Sequence, residues 1–484
     1  MDRTISRFAA KKILLPTWDQ LRAPGKIPAE ITKNLESVDP NTADPINLFR
    51  IHWYNQPEGR NIQDFPNYVE LPSELTGVRA RILVLTGATF PMIGAHKVLA
   101  AYGCLAPRLV TGQFDPTMNR AIWPSTGNYC RGGIAVSRIM DCHGVAILPE
   151  GMSEERFQWL NDWCLNPEED IIRTYGCESN VKEIYDKCNE LDKDPQNIIF
   201  NQFCEFGNTL IHYYCTGQAI ESVFQKEQEA SDGELNLFAF TSATGSAGTI
   251  AAGDYLKEVY GSKIVAVEAL ECPTLLYNGF GDHNIQGIGD KHVPLIHNTM
   301  NTDLVAGISD AATDNLFLLF HHPEGKSYLK NHRGVTPEVF KLFQWFGLSS
   351  FCNILAAIKT AKYYDLDDSQ VLVTVATDSS QMYSSEKERA IEKYHDGSFS
   401  EIKAAEIFGQ YLLGENTAHL KELNHRDREA IFNLGYFTWV EQQGIGMDDF
   451  LRRKEPVFWK ELRKFIPTWN ELIEEFNEKV KTQM

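Results

Sequence analysis

Leu235-Asn236-Leu237-Phe238-Ala239-Phe240 runs directly into Thr241-Ser242-Ala243-Thr244-Gly245-Ser246-Ala247-Gly248-Thr249, which opens Ile250–Tyr260. The first stretch is an apolar run of strand length, and the last carries a helical pattern. A second short apolar run, Ile264–Val267, follows. This is a strand-loop-helix-strand unit whose loop consists only of small and hydroxyl residues. Small residues let the backbone approach an anion. The helix start adds free N–H groups and a partial positive charge, and the hydroxyls add donors. The loop therefore has the form of a phosphate cradle. It equally suits a tight turn that needs small residues for packing. No Gly-Lys-[Ser/Thr] follows, which argues against a triphosphate-hydrolysing loop. The G-x-G-x-x-G fingerprint of dinucleotide binding is absent as well.

The same alternation extends in both directions. Arg81–Leu85, Val145–Leu148 and Gln370–Ala376 are further strand-length apolar runs separated by amphipathic helical segments. Such runs predict an α/β fold with mainly parallel, twisted sheets covered on both faces. Residues 1–60 are rich in Pro, Asn and Asp and read as an extended arm. Residues 61–385 form the expected core, with lobes at roughly 80–220 and 235–385 and a crossing segment at 61–79. After Ser385 the strands are expected to stop, leaving 386–484 as a helical extension. Its Trp439, Trp459 and Trp469 would pack it onto the core or onto a second subunit.

The bulk numbers set limits. With 43% apolar and 23% charged residues in 484, a sizeable core can be buried. A net charge of -19 without a basic cluster argues against nucleic acid and anionic lipid as partners. No apolar stretch is long enough to span a membrane, and the start is not a secretory signal, so a cytoplasmic protein is expected. Ten cysteines without C-x-x-C spacing read as reduced thiols, with no metal site.

Three other stretches carry chemistry. Ser125-Thr126-Gly127-Asn128-Tyr129 places polar donors before a helix, although plain capping explains them too. Gly94-Ala95-His96-Lys97 heads the apolar run Val98–Ala101. Burial there would lower the lysine's pKa, as a Schiff-base lysine requires, while a snorkelling lysine is the plainer reading. Gly347-Leu348-Ser349-Ser350 opens the helix Ile354–Tyr364 and suits an ordinary N-cap.

In their order and spacing these stretches resemble the cysteine synthase / cystathionine β-synthase family of fold-type II pyridoxal-phosphate enzymes, from about Pro66 to Ser385. Thr126-Gly127-Asn128-Tyr129 is similar to the family's Ser-Gly-Asn-Thr-Gly loop. Gly245-Ser246-Ala247-Gly248-Thr249 is similar to its Gly-Thr-Gly-Gly-Thr loop. Asn201-Gln202-Phe203, His283-Asn284-Ile285-Gln286-Gly287-Ile288-Gly289 and Gly347-Leu348-Ser349-Ser350 match further family stretches. Gly-Ala-His-Lys looks more like the tryptophan synthase β-subunit, and Ala247 stands where the family has glycine. The chain is therefore identified as a divergent member.

The resemblance implies a two-lobed fold-type II core and pyridoxal 5'-phosphate as cofactor. Lys97 would hold the cofactor and act as base, and Gly245, Ser246, Ala247, Gly248 and Thr249 would bind its phosphate. Asn128 would bind the ring hydroxyl oxygen, and Ser349 would face the pyridine nitrogen. Ser125, Thr126, Gly127, Asn128, Gln202 and Gly287 would bind a small amino-acid substrate. The implied chemistry is β-elimination or β-replacement on a cysteine, serine or O-acetylserine type of substrate, through an α-aminoacrylate, in a homodimer. A serine/threonine dehydratase or racemase of the same fold is the alternative, and a non-catalytic or nicotinamide-binding α/β protein the remote one.

Overall fold

The computed structural model describes residues 1–484 apart from Thr126, Asp232 and the side chain of Glu338. Its strands in chain order are β1 (Tyr68–Leu71), β2 (Arg81–Thr86), β3 (Arg120–Pro124), β4 (His143–Pro149), β5 (Ile171–Thr174) and β6 (Asn197–Ile199). They continue with β7 (Asn236–Ala243), β8 (Lys263–Ala269), β9 (Leu304–Ile308), β10 (Gln370–Ala376) and β11 (Leu420–Glu422).

Two sheets result. The larger has the order β1-β2-β10-β7-β8-β9-β11, and the smaller β5-β4-β3-β6. Every pairing from β2 to β9 in the larger sheet is parallel, as are all pairings in the smaller. The inner strands are buried almost end to end, which is why they read as continuous apolar runs rather than alternating ones. Helices cover both faces.

Each strand expected from an apolar run forms at its place. β2 pairs with β10, however, so residues 81–86 belong to the larger sheet, whereas the expected lobe at 80–220 places them with β3 and β4. The chain enters the smaller sheet only after the helix Lys97–Val110, which is buried along nearly its whole length.

Both termini differ from expectation. The arm is not extended at its start: Asp2–Lys11 is a helix, with Ile5, Phe8 and Ala9 buried on one face. That spacing is helical, but the helix is only about three turns long. This helix packs on the C-terminal helix Phe465–Gln483, where the rings of Phe8 and Phe476 meet at 5.2 Å. Trp18 and Trp469 meet at 5.0 Å beside it, and Asn477 bridges both backbone groups of Leu15 at 2.9 and 2.7 Å. Trp439 and Trp459 are buried within the same chain. Strands do not stop at Ser385 either, because β11 adds an antiparallel edge to β9. Three half-exposed residues, Leu420-Lys421-Glu422, show no usable period; an edge strand needs only backbone pairing on one side.

Candidate active site

Lys97 is the first residue of its helix and is buried, 8% exposed. Its neighbours Val98 to Leu105 fill the core between the sheets, so its side chain cannot turn outward along them. Burial lowers its pKa to about 8, against the opposing pull of Asp290 and Glu178. Its Nζ donates to Ser246 Oγ at 3.1 Å. The lysine therefore points at the loop after β7, as the motif reading expected.

Two adjoining narrow cavities meet at Lys97. Gly245 and Ser246 line both, and Ala247, Gly248 and Thr249 line one. Ser125, Asn128 and Gln202 line the other, and Gly287 both. Distant parts of the chain converge here because β3, β7 and β10 all end on the same side of their parallel sheets. Thr126 lies outside the described residues. Gly127 does not reach the cavity wall; a Cβ there would come within 2.9 Å of Arg156 Nε.

The polar groups are tied to one another. Gln202 donates to Ser125 Oγ at 3.2 Å. Asn208 donates to Ser246 Oγ at 3.1 Å and to the Gln202 carbonyl at 3.0 Å. A Cβ at Gly248 would fall 2.1 Å from Asn208 Oδ1, so glycine there makes room for Asn208 first. Ala247 sits at a φ of 61°, a left-handed conformation that suits the family's glycine better than alanine. Behind the loop, His96 shares a 2.9 Å hydrogen bond with Thr249 Oγ1 and stacks on Trp53, 5.6 Å away. Burial, with a smaller push from Lys97, holds His96 down to about 3, so it stays neutral.

Asn128 donates to Asp378 Oδ2 at 2.6 Å and accepts from Arg131 at 3.0 Å. One of its N–H groups is left for a ligand. Asp378 is fully buried and is also met by Tyr383 Oη at 2.7 Å.

Ser349 belongs to the remaining motif. It is buried but lines neither cavity. Its helix, Leu348–Tyr363, reaches the wall through Asn353, one turn later, flanked by Val375 and Thr377 of the β10 end. Asp378 packs against Gly347 at the helix start.

Asp290 is the residue the motifs missed. The recognisable run stops at Gly289, and the acid that follows it faces the cavity beside Lys97. It is 6% exposed, and its Oδ2 has no hydrogen-bond partner among the described residues. Burial and then Glu178 push its carboxyl well above the usual range, while Lys97 pulls it back. Only its position directly after Gly-Ile-Gly could have signalled it.

The residues present fit a pyridoxal phosphate. A buried amine of lowered pKa faces a loop of hydroxyl and backbone donors at a helix start. Unpartnered buried atoms, Asp290 Oδ2 and Asn208 Oδ1, belong to residues at the same place.

No protein-family model matches the chain. Among curated proteins it is 29% identical over 260 residues to cysteine synthase B of Campylobacter jejuni, covering 52% of this chain and 75% of that protein. It is 28% identical over 218 residues to the cystathionine beta-synthase of Saccharomyces cerevisiae, covering 42% of this chain and only 40% of the yeast protein's length. Among solved structures, O-acetylserine sulfhydrylase isoform 3 of Entamoeba histolytica superposes with a TM-score of 0.55 at 24% identity, covering 72% of this chain and 94% of that one. A hydrogen sulfide-producing enzyme of Fusobacterium nucleatum gives 0.53 at 21% identity, covering 66% and 96%. The structural matches carry the fold, and the sequence matches carry the relationship. The family's cofactor is pyridoxal 5'-phosphate. With its lysine, its phosphate-type loop and its two mainly parallel sheets, this chain is similar to the enzymes of the cysteine synthase family, as a divergent relative of them.

Proposed function

We propose that the protein catalyses β-elimination or β-replacement on a small L-amino acid bearing a β-leaving group, of the cysteine, serine or O-acetylserine type. One observation carries this reading: Lys97, the 245–249 loop and an unpartnered acid, Asp290, meet at one pair of adjoining cavities. When bound, pyridoxal phosphate supplies an electron sink for the bond broken at the substrate's Cα.

The remaining work falls to the chain's own groups. The lowered pKa of Lys97 gives it a neutral fraction near pH 7, so it can hold the cofactor and then remove the Cα proton. Ser246, Thr249 and the backbone N–H groups of their loop hold the phosphate, Asn128 holds the cofactor's ring oxygen, and Ser125 and Gln202 hold the substrate carboxylate. The β-substituent leaves with its bonding electron pair. Asp290, protonated in its buried place, delivers a proton to that leaving group, or takes one from an incoming nucleophile in the reverse sense. This reading has the enzyme working as a homodimer in the cytoplasm. Relatives named for cysteine and cystathionine synthesis support the proposed chemistry.

The test is a screen of L-cysteine, L-serine, O-acetyl-L-serine and phospho-L-serine. Visible absorbance and release of keto acid, sulfide, acetate or phosphate are followed. Loss of a β-group from at least one of them is the expected result. Racemisation without any such loss would replace this reading with the racemase alternative.

A further inference from the structure

We propose that the C-terminal segment acts as a positioning brace for the wall of the candidate site, through Trp439 and Arg453. The inference extends the active-site reading above, since the wall it holds is the one that carries Gly287 and Asp290.

From Asn278 to Asn298 the chain has neither helix nor strand. Its backbone groups therefore need partners from elsewhere. The first half of this segment is tied from the core: Asn284 N donates to Asp310 at 2.7 Å, Gln286 meets Arg156, and Gly287 N donates to Glu178 at 2.9 Å. The second half keeps core ties at Asp290, whose carbonyl accepts from Thr274 Oγ1 at 2.8 Å, and at Ile296, whose N donates to the Phe203 carbonyl at 3.3 Å, and it is tied from outside as well. Trp439 Nε1 donates to the Val293 carbonyl at 2.7 Å, and Arg453 donates to the Leu295 carbonyl at 2.5 Å. Asp290 lies between the two sets of ties.

The outer ties are built, not incidental. Trp439 is 1% exposed and Arg453 4%. Arg453 has no carboxylate partner among the described residues and lies between the rings of Phe432 and Phe450, at 4.9 and 4.5 Å. Trp459 Nε1 fixes the Arg453 carbonyl at 2.9 Å. A buried cation bonded to a carbonyl costs more than an apolar side chain of the same size would, so stability alone does not account for it. Its geometry does: it holds one backbone atom of an otherwise irregular segment. The same apolar cluster includes Val181 and Tyr185 of the helix Val181–Leu191, and Phe203, the neighbour of Gln202. Tyr185 Oη and His292 Nε2 are 3.0 Å apart. The brace thus touches the wall that carries Asp290 and, through the shared apolar cluster, Phe203, which lines the cavity beside Gln202.

The test uses the whole chain, with and without added pyridoxal phosphate for exchange and cofactor-free for capture, and the variants Trp439→Phe, Arg453→Met and Arg453→Lys. Deuterium uptake over residues 287–297 should rise at least about fivefold in the first two, and Arg453→Lys, which keeps a donor, should recover most of the protection. A looser wall also admits water to Lys97, whose low pKa is chiefly a burial effect. The midpoint of the pH profile for capture of added pyridoxal phosphate should therefore move up by roughly half a unit or more. A change confined to residues 425–463, with segment 287–297 and the midpoint both unmoved, overturns the brace. Trp439→Phe, the milder change, decides the matter if Arg453→Met does not fold. If the parent protein captures no pyridoxal phosphate, the active-site reading falls, and the exchange measurement still judges the brace.

Discussion

Lys97 Nζ lies 3.1 Å from Ser246 Oγ, joining the head of one buried helix to the loop that opens another. The residues are far apart in sequence, and only the crossing between the two sheets brings them together. Ser246 also accepts from Asn208, so its hydroxyl sits at the centre of a small polar network. Borohydride reduction of the cofactor-loaded protein, followed by peptide mapping, should label Lys97. Replacing Ser246 with alanine should remove about 0.5–1.5 kcal/mol of cofactor binding, roughly a two- to tenfold weaker affinity by absorbance titration. Label on another lysine would remove Lys97 from its role.

The pH dependence follows from burial. Cofactor capture needs the neutral amine, and burial brings Lys97 down to about 8. Below that value the neutral fraction rises about tenfold per pH unit, and above it the fraction levels off. Stopped-flow absorbance of cofactor-free protein mixed with pyridoxal phosphate should show a rate that is half-maximal near pH 8 and levels off above about pH 9. A rise continuing to the ordinary lysine value, above 10, would mean that the amine is not desolvated.

Ala247 holds a left-handed conformation where a Cβ is strained. Ala247→Gly should relieve that strain and raise stability by about 0.5–1 kcal/mol, despite the extra freedom of glycine in the unfolded chain. Ala247→Val should lower stability by more than that, since a β-branched residue tolerates a positive φ least. Thermal unfolding of the three proteins side by side checks the order.

Asp290→Asn keeps the size of the side chain and removes its exchangeable carboxyl proton. Cofactor affinity should stay within about threefold, and turnover of a β-substituted amino acid should fall by about 10²-fold, the usual contribution of one general acid or base. Turnover at the parent rate would take Asp290 out of the proton path.

Much of the site was legible before any coordinates. Loop 245–249 is readable because phosphate binding at a helix start needs small residues and hydroxyls in consecutive positions. Lys97 is readable only together with the other stretches, because a lysine heading an apolar helix is by itself more plainly a snorkelling one. Ser349 stands apart because a motif conveys which residues occur together, and not which of them reach a cavity wall; its helix reaches that wall at Asn353. Asp290 was invisible for the opposite reason. An acid after a glycine run is ordinary in a sequence, and only burial without a partner makes it chemical.

The sequence by itself determined the parallel sheets, because strands buried on both faces must be apolar throughout and so stand out as runs. It also determined the phosphate-type loop and the lysine, whose requirements are local. Tertiary structure alone decided that β2 joins β10 and that β11 adds an edge to β9. It alone decided that Trp439 and Arg453 hold the segment carrying Asp290. Such pairings join backbone groups far apart in the chain, and a backbone carbonyl or N–H is the same in every residue, so no side-chain pattern announces its partner.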